Sequence, residues 1–221
     1  MNNYSENQKD FFKKLLLDLE LRTDGRQRLV NREYTIDNEV VPSCLSSIKL
    51  TCGNKQILFA IKGDIVNSLQ EKLIFVSIDS MYKIEDLKLK KEIECYLNDL
   101  IISKIPIDIL KIGNEGEYYW KLYIDIIIFD TLKLSLLQLL SNGIKHSLEN
   151  LKLPSIILYK NEVTGNIEFD IREVYDDISD SEKVYTPSVK IPTLHVFAVI
   201  NNNIYLDPTE EEYSVSDSII I

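Results

Sequence analysis

The most regular hydrophobic pattern lies between Trp120 and Asp130, where the chain reads Trp-Lys-Leu-Tyr-Ile-Asp-Ile-Ile-Ile-Phe-Asp. One alternate set of positions is entirely apolar, and the other set mixes charged, aromatic and apolar residues. Because successive strand side chains point to opposite faces, this predicts a central strand with one face in the core and the other mostly covered. From Leu132 to Leu148, apolar residues recur every three to four positions, which predicts an amphipathic helix. Together they predict a two-layer α/β nucleus.

The segment before this nucleus predicts a leading helix and four strands. Ser5 is a suitable N-cap for the helix, and Gly25 permits the turn that ends it. Gly53-Asn54 stands between two alternating apolar runs and predicts a hairpin. The four strands are expected at residues 32–36, 46–51, 56–64 and 73–78. The fourth is expected to pair with the third, and a helix is expected over residues 84–103.

The segment after the nucleus predicts mainly strands, at residues 156–159, 193–200, 204–207 and 213–221. Residues 161–166 are typical of a hairpin loop, and residues 176–183 of a solvated acidic connector. The acidic run Glu210-Glu211-Glu212 is expected on the surface, capping the last strand. The predicted class is therefore α+β, with a mixed β-sheet packed against long amphipathic helices and an N-terminal helix.

Charge is distributed unevenly along the chain. The formal net charge is −10, and residues 162–221 alone hold 3 Lys/Arg against 13 Asp/Glu. This balance argues against non-specific affinity for nucleic acid. No apolar run reaches the length of a membrane helix, and the polar N-terminus lacks the apolar segment of a secretory signal. The three cysteines lack metal-ligand spacing, so we expect reduced thiols in an intracellular protein.

Four short motifs occur in a fixed order across nearly the whole chain. Residues 21–26 read Leu-Arg-Thr-Asp-Gly-Arg, with Arg32 following, and residues 46–62 form the Gly-Asn hairpin. Residues 120–125 read Trp-Lys-Leu-Tyr-Ile-Asp, and residues 206–212 read Leu-Asp-Pro-Thr-Glu-Glu-Glu. In this order they resemble the motifs of the RNase PH-like family, specifically the non-catalytic ring subunits of the RNA exosome.

The resemblance implies an RNase PH fold, related to domain 2 of ribosomal protein S5, over residues 1–221 as a single domain. Residues 1–22 would form the N-terminal helix and residues 23–221 the core. It also implies a six-membered ring of alternating subunit types around an RNA channel, working in 3′-to-5′ RNA processing and degradation. The implied partners are other RNase PH-type ring subunits, cap subunits and RNA passing through the ring. A membrane and a cofactor are not implied. The implied location is the nucleus, including the nucleolus, and the cytoplasm.

Candidate RNA contacts follow from the same resemblance, namely Arg22, Arg26, Arg32, Lys62 and Lys83. Lys83 is the one basic residue in the loop at residues 80–85, where the family carries arginines near the RNA channel. The arginine cluster allows two interpretations. The favoured one is that these arginines tie the N-terminal segment to carboxylates of the core or of a neighbour. The other is that they line a channel for phosphates.

Catalytic chemistry is not indicated. Phosphorolysis needs a cationic pocket for phosphate, for which the bidentate guanidinium is well suited, yet no arginine occurs between Arg32 and Arg172. We therefore predict no catalytic residue, no metal site, and structural roles for His146 and His195. Two alternatives stay open: a phosphorolytic 3′-exoribonuclease subunit contributing to a composite site, and a stand-alone S5-like RNA-binding module.

Two further expectations concern surfaces. Asp125 on the central strand, if buried, would need a donor such as an arginine. The two leucine-rich helices with an acidic rim would suit an obligate interface with a more basic partner.

Overall fold

Strand β5 (Tyr119–Ile128) lies inside the main sheet, hydrogen-bonded to neighbours on both sides. This sheet has the order β1-β2-β3-β5-β4, with β4 parallel to β5 and every other pair antiparallel. Its remaining strands are β1 (Thr35–Asn38), β2 (Ser46–Cys52), β3 (Lys55–Val66) and β4 (Ile74–Ser80). In this computed structural model the residues described are 4–67, 72–82, 86–112, 118–154, 156–160, 167–171, 184–185 and 190–221.

Helices α2 (Leu87–Leu100) and α3 (Leu137–Glu149) pack on one face of the main sheet. The apolar side of β5 is buried against them, as the alternation predicts. Gly143 of α3 lies directly on the ring of Phe59 in β3, where a Cβ atom would overlap the ring. Helix α3 thus approaches the sheet closely because position 143 lacks a side chain.

Short 3-10 turns occur at Ile102–Lys104, Ile107–Leu110 and Leu134–Leu136.

A second, three-stranded sheet has the order β11-β10-β12, formed by β10 (Phe197–Ile200), β11 (Asn203–Leu206) and β12 (Ser218–Ile220). Asn201 and Asn202 turn the chain between β10 and β11 with positive φ, which asparagine tolerates. Helices α1 (Glu6–Leu17) and α4 (Glu210–Val215) pack together beside this sheet and share a small core with it. The Tyr205 hydroxyl of β11 donates to the Leu16 carbonyl over 3.1 Å.

Two short pairs complete the strands: β6 (Leu153–Pro154) with β9 (Val184–Tyr185), and β7 (Ile156–Lys160) with β8 (Ile167–Ile171). The predicted hairpin loop at residues 161–166 and the acidic connector at residues 176–183 lie outside the described residues. Among the described helices, none combines the length and the hydrophobicity needed to cross a membrane.

The main sequence predictions are confirmed. Ser5 caps α1 in a reciprocal capping box with Gln8, and Gly53 adopts positive φ in the β2–β3 hairpin. The order of elements gives an α+β protein in which a mixed sheet carries amphipathic helices on one face.

Three predictions about strands are wrong. Strand β4 pairs with β5 in parallel, because α2 carries the chain across the sheet, and it does not pair with β3. The strand expected at residues 213–221 is a helix, α4, followed by the short β12. The strand expected at residues 32–36 begins later, at Thr35, because Arg32 is held by side-chain bonds described below.

The expected interface on the leucine-rich helices is also wrong for α3. Its apolar residues are buried in the protein's own core, where they pack on β2 and β3. In α2, Ile93 and Leu97 are buried as well, and Leu87 and Leu100 are the apolar side chains left exposed.

Candidate functional site

The first and last motifs of the chain meet in one ion-pair cluster. Arg22 follows α1, and Glu212 lies in α4. The Arg22 Nε and Nη2 atoms donate to the two carboxylate oxygens of Glu212, each over 2.7 Å. Both side chains are essentially inaccessible to solvent. Such a bidentate arginine–carboxylate pair fixes orientation as well as charge.

Backbone carbonyls complete the coordination of Arg22. Its Nη1 atom donates to the Gln27 and Leu206 carbonyls, and Nη2 donates to the Asp207 carbonyl over 3.1 Å. A buried guanidinium is costly unless its donors are bonded, and here they are bonded within the chain. Arg22 consequently joins the loop after α1, the end of β11 and α4.

Asp207 is the second carboxylate of the cluster. It is buried and has φ +51°, a conformation that aspartate tolerates better than most residues. Arg32 donates to its two oxygens from Nε over 3.0 Å and from Nη2 over 2.5 Å, and the Arg32 backbone N–H adds a 2.8 Å bond. Arg26 lies 3.7 Å from the same carboxylate and bonds the Asp207 carbonyl over 2.9 Å. We call this set the terminal ion-pair cluster, namely Arg22, Arg26, Arg32, Asp207 and Glu212.

Two pKa shifts reflect these contacts. Burial alone would lower the pKa of Arg32, but its bonds to Asp207 outweigh burial and raise it. Asp24 lies at the edge of the cluster, where its carboxylate accepts from Arg26 Nε over 2.7 Å. Burial acts to raise the pKa of Asp24, and the contacts with Arg26 more than compensate and lower it. Both groups are thus held in their charged forms.

The cluster corrects one sequence prediction. Glu210-Glu211-Glu212 was expected as a surface run, but Glu212 is fully buried opposite Arg22. The three glutamates form the first turn of α4, where Thr209 and Glu212 make a capping box. The spacing of Thr209 and Glu212 was the signal in the sequence that this segment is helical.

The structure separates the five predicted RNA-contact residues. Arg22 is buried, and Arg26 and Arg32 are largely buried with their donors turned to the protein's own acceptors. This is the tie between the N-terminal segment and core carboxylates that the sequence favoured. Lys62 is exposed on β3, and its Nζ donates to Asp125 over 3.0 Å. Lys83 lies outside the described residues.

Asp125 itself is partly exposed and bonds a lysine, so the buried arginine partner expected for it is not needed. The next carboxylate along, Asp130, is paired with Lys55, and this contact is the main cause of its lowered pKa. In the described ranges no group of three or more His, Cys, Asp or Glu side chains is placed to hold a metal ion. The cysteines Cys44, Cys52 and Cys95 are free thiols.

The two histidines have different surroundings, and the Glu149 carboxylate lies 3.7 Å from Nδ1 of His146. His146 on α3 meets the Tyr34 hydroxyl through Nε2 at 3.2 Å, and their rings pack edge to face. His195 is exposed just before β10. The structural role predicted for His146 and His195 stays a prediction.

Sequence reasoning missed a group of residues on the face of the main sheet opposite the helices, which we call the open face. Phe75 of β4 and Tyr123 of β5 stack there, with the ammonium group of Lys121 over both rings. The alternation of Lys121, Tyr123 and Asp125 along β5 was the available signal. The sequence analysis expected this side of the strand to be mostly covered, but the Tyr123 ring is partly exposed.

In the archaeal exosome core, a solved chain shares 19% identity with this protein, covering 97% of it and 78% of that chain with a TM-score of 0.68. A chain of the Archaeoglobus fulgidus exosome with RNA bound to the active site is 18% identical to this protein. The match covers 97% of this protein and 80% of that chain, with a TM-score of 0.65. Rice Rrp46 is 14% identical, and the match covers 90% of this protein and 78% of the rice chain with a TM-score of 0.57. These likenesses confirm the RNase PH-type fold.

A relative in sequence is the exosome complex component RRP42 of Saccharomyces cerevisiae. The two are 23% identical over 203 residues, which cover 91% of this chain and 73% of the yeast protein. No family model matches the chain. The resemblance to RNase PH-like exosome ring subunits is therefore confirmed over nearly the whole chain. Among the ring subunits, the N-terminal helix and the closing Asp-Pro-Thr-Glu-Glu-Glu motif favour the ribosomal RNA-processing protein forty-three type, with the forty-two type close behind, and this relative is of the forty-two type.

Proposed function

We propose that this chain is a catalytically inactive structural subunit of an RNA exosome ring, built as a single RNase PH-like domain. In this role it supports 3′-to-5′ RNA processing and degradation by holding its neighbours in place. The observation that carries the proposal is the terminal ion-pair cluster. Arginines that could have bound phosphate instead join the two ends of the chain.

The remaining described arginine does not restore a phosphate pocket. Arg28 donates to Asn203 Oδ1 over 2.7 Å and lies 3.9 Å from Glu20 at the surface. The charged groups at the end of β5 are neutralised too, since Asp130 pairs with Lys55 and Lys133 bonds Glu210 over 2.6 Å. A phosphorolytic site needs unpaired cationic donors aimed at one point, and this part of the chain offers none in the described residues.

The surface around Arg28 supports the structural role. The Arg28 carbonyl accepts a hydrogen bond from the Leu206 backbone N–H of β11 over 2.8 Å, and the Arg28 side chain reaches Asn203 and Glu20. Large apolar side chains are exposed on the same segments, namely Leu19, Leu21, Leu29, Val30 and Ile204. We call this set with Arg28 the apolar end. Exposed apolar side chains around an arginine are typical of a protein interface.

The partners proposed for this chain are other RNase PH-type ring subunits, cap subunits, and RNA that passes through the assembled ring. The proposed location is the nucleus, including the nucleolus, and the cytoplasm. The yeast relative is named as a component of the exosome complex, and the solved relatives are exosome subunits. Similarity over nearly the whole chain supports placing it in an equivalent assembly.

A phosphorolysis assay tests the inactive role. The purified chain would be incubated with single-stranded RNA, magnesium and inorganic phosphate, and the products resolved for nucleoside diphosphates. We expect no release above a blank without protein. Phosphate-dependent release that grows with protein concentration would contradict the proposal and favour the phosphorolytic alternative.

A further inference from the structure

The open face carries a pair of aromatic rings outside the core. Phe75 and Tyr123 are direct partners across the parallel β4–β5 pair. Their ring centroids are 5.7 Å apart, with 21° between the ring planes. Both side chains are partly exposed, whereas Ile74 and Ile78 of β4 and the alternate, core-facing residues of β5 are buried. Outward positions of a one-sided sheet are normally polar, so a stacked aromatic pair here requires an explanation.

Lysine side chains surround this pair. The Lys121 ammonium lies 5.1 Å from the Phe75 ring centroid and 5.9 Å from that of Tyr123. Lys72 approaches Phe75 at 5.5 Å. Lys62 is the cross-strand partner of Tyr123 on β3. We call these five residues the aromatic–lysine patch. The Lys72 and Lys121 ammonium groups lie over the ring faces, and Lys72 also donates to Asn98 Oδ1 over 2.5 Å. Because both rings stay partly exposed, a further planar or charged group can reach them.

Planar rings bordered by cations match the chemistry of an unpaired nucleotide. A base stacks on an aromatic face, and the phosphates beside it bind to ammonium groups. Sheet surfaces that bind single strands combine these two elements. A duplex cannot offer a free base face, so the match is to a single-stranded nucleic acid. The choice of RNA rests on the proposed role in RNA processing.

We propose that the aromatic–lysine patch binds single-stranded RNA on the open face of the main sheet. The proposal takes RNA as its ligand from the proposed function, but it rests on a different surface from the terminal ion-pair cluster and the apolar end. It gives one of the predicted contact residues, Lys62, a defined set of neighbours. It assigns no contact to the buried arginines.

Carboxylates beside the patch limit its affinity. Asp125 accepts from Lys62 over 3.0 Å, and Asp64 is the cross-strand partner of Lys121. Each reduces the positive potential that a phosphate would meet. Removal of the Asp125 charge should therefore strengthen RNA binding, an outcome that a purely structural role for these residues does not produce.

Fluorescence anisotropy of a labelled single-stranded oligouridine, titrated with the full chain at low salt, tests the stacking contribution. The double variant Phe75→Leu/Tyr123→Leu keeps apolar side chains but removes both ring faces. We expect its Kd to rise by about tenfold or more, since stacking on aromatic rings makes a large contribution per base. Phe11→Leu, a change at an exposed aromatic on α1, is the matched control and should leave Kd unchanged. Thermal unfolding of each variant verifies that it is folded.

Charge variants test the second contribution. Lys121→Gln should weaken binding and reduce the slope of log Kd against log salt by about 0.7, the value for one phosphate contact on a single strand. Asp125→Asn should tighten binding about twofold or more by releasing Lys62. Asp10→Asn makes the same charge change at an exposed position of α1 and should have a smaller effect.

Three results would overturn the proposal. They are no binding by the unmodified chain at low salt, equal loss in the double variant and the Phe11→Leu control, or equal affinity for a duplex of the same length. A double variant that binds RNA normally but no longer co-purifies with other subunits would show that a protein covers the patch. Incorporation into a ring is scored separately, so failure of this inference leaves the structural role standing.

Discussion

Arg22 and Glu212 are 190 residues apart in sequence, and their side chains form a bidentate ion pair with two 2.7 Å hydrogen bonds. The pair lies where the loop after α1 meets α4, close to the end of β11. It explains why two short motifs at opposite ends of the chain occur together. Each supplies one half of a contact that closes the fold.

Neutralising one member of this pair should destabilise the protein strongly. Glu212→Gln leaves the Arg22 guanidinium buried without its countercharge, which typically costs about 3–5 kcal/mol. The measurement is the free energy of unfolding in urea. Glu6→Gln, at the exposed Lys9–Glu6 pair on α1, is the matched control and should cost less than about 1 kcal/mol. Similar losses in the two variants would show that the buried pair is not structural.

Lowering the pH should remove the contribution that the Asp24 carboxylate makes to the stability of the folded protein. Its pKa in the folded protein lies below the ordinary value of 3.8, because bonds from Arg26 outweigh burial. A carboxylate whose pKa is lowered in the folded state stabilises the protein at pH values above its ordinary pKa. This contribution disappears as the pH falls through the pKa of the folded state. Asp24→Asn should therefore be less stable than the unmodified chain at pH 7.

The difference in unfolding free energy between the unmodified chain and Asp24→Asn should shrink progressively below about pH 4. Urea unfolding of both proteins across pH 2–7 measures it. A difference that stays constant over this range would contradict the assignment, because it would then come from packing and not from charge.

The contact between α3 and the main sheet should depend on the missing side chain at Gly143. A Cβ atom there would overlap the buried ring of Phe59, so Gly143→Ala should cost about 1–3 kcal/mol despite the higher helix propensity of alanine. Phe59→Leu should recover part of that loss in the double variant, and a double-mutant cycle in urea measures the coupling. Additive effects would show that the helix does not approach the sheet at this point.

The apolar end should be required for contact with other subunits. Leu29→Glu places a charge among exposed apolar side chains and should reduce recovery of partner subunits about tenfold or more in co-purification. Leu87→Glu, at a comparably exposed position on α2, is the control and should leave recovery unchanged. Equal recovery with both variants would place the interface elsewhere.

Local patterns predicted much of the fold. Alternation along residues 120–128 and the helical spacing after Leu132 are strong because each element buries one full face, and the structure has both elements there. The Gly53 turn was equally clear, since its positive φ requires a residue that tolerates it.

The same local patterns could not predict which strands and side chains pair over long sequence separations. Strand β4 was expected beside β3, its neighbour in sequence, but the parallel pairing with β5 depends on the path of α2 across the sheet. A buried Glu212 was missed because acidic side chains are rarely buried without a partner, and its partner Arg22 belongs to the other end of the chain. The aromatic–lysine patch was missed for the same reason, since three strands contribute to it.

Native mass spectrometry of the complex that co-purifies with the tagged chain tests the central claim most directly. The account predicts one copy of this chain together with other RNase PH-type subunits, in an assembly that survives high salt because apolar contacts hold it. Recovery of the chain only as a monomer, or only with copies of itself, would contradict its assignment as a structural subunit of an exosome ring.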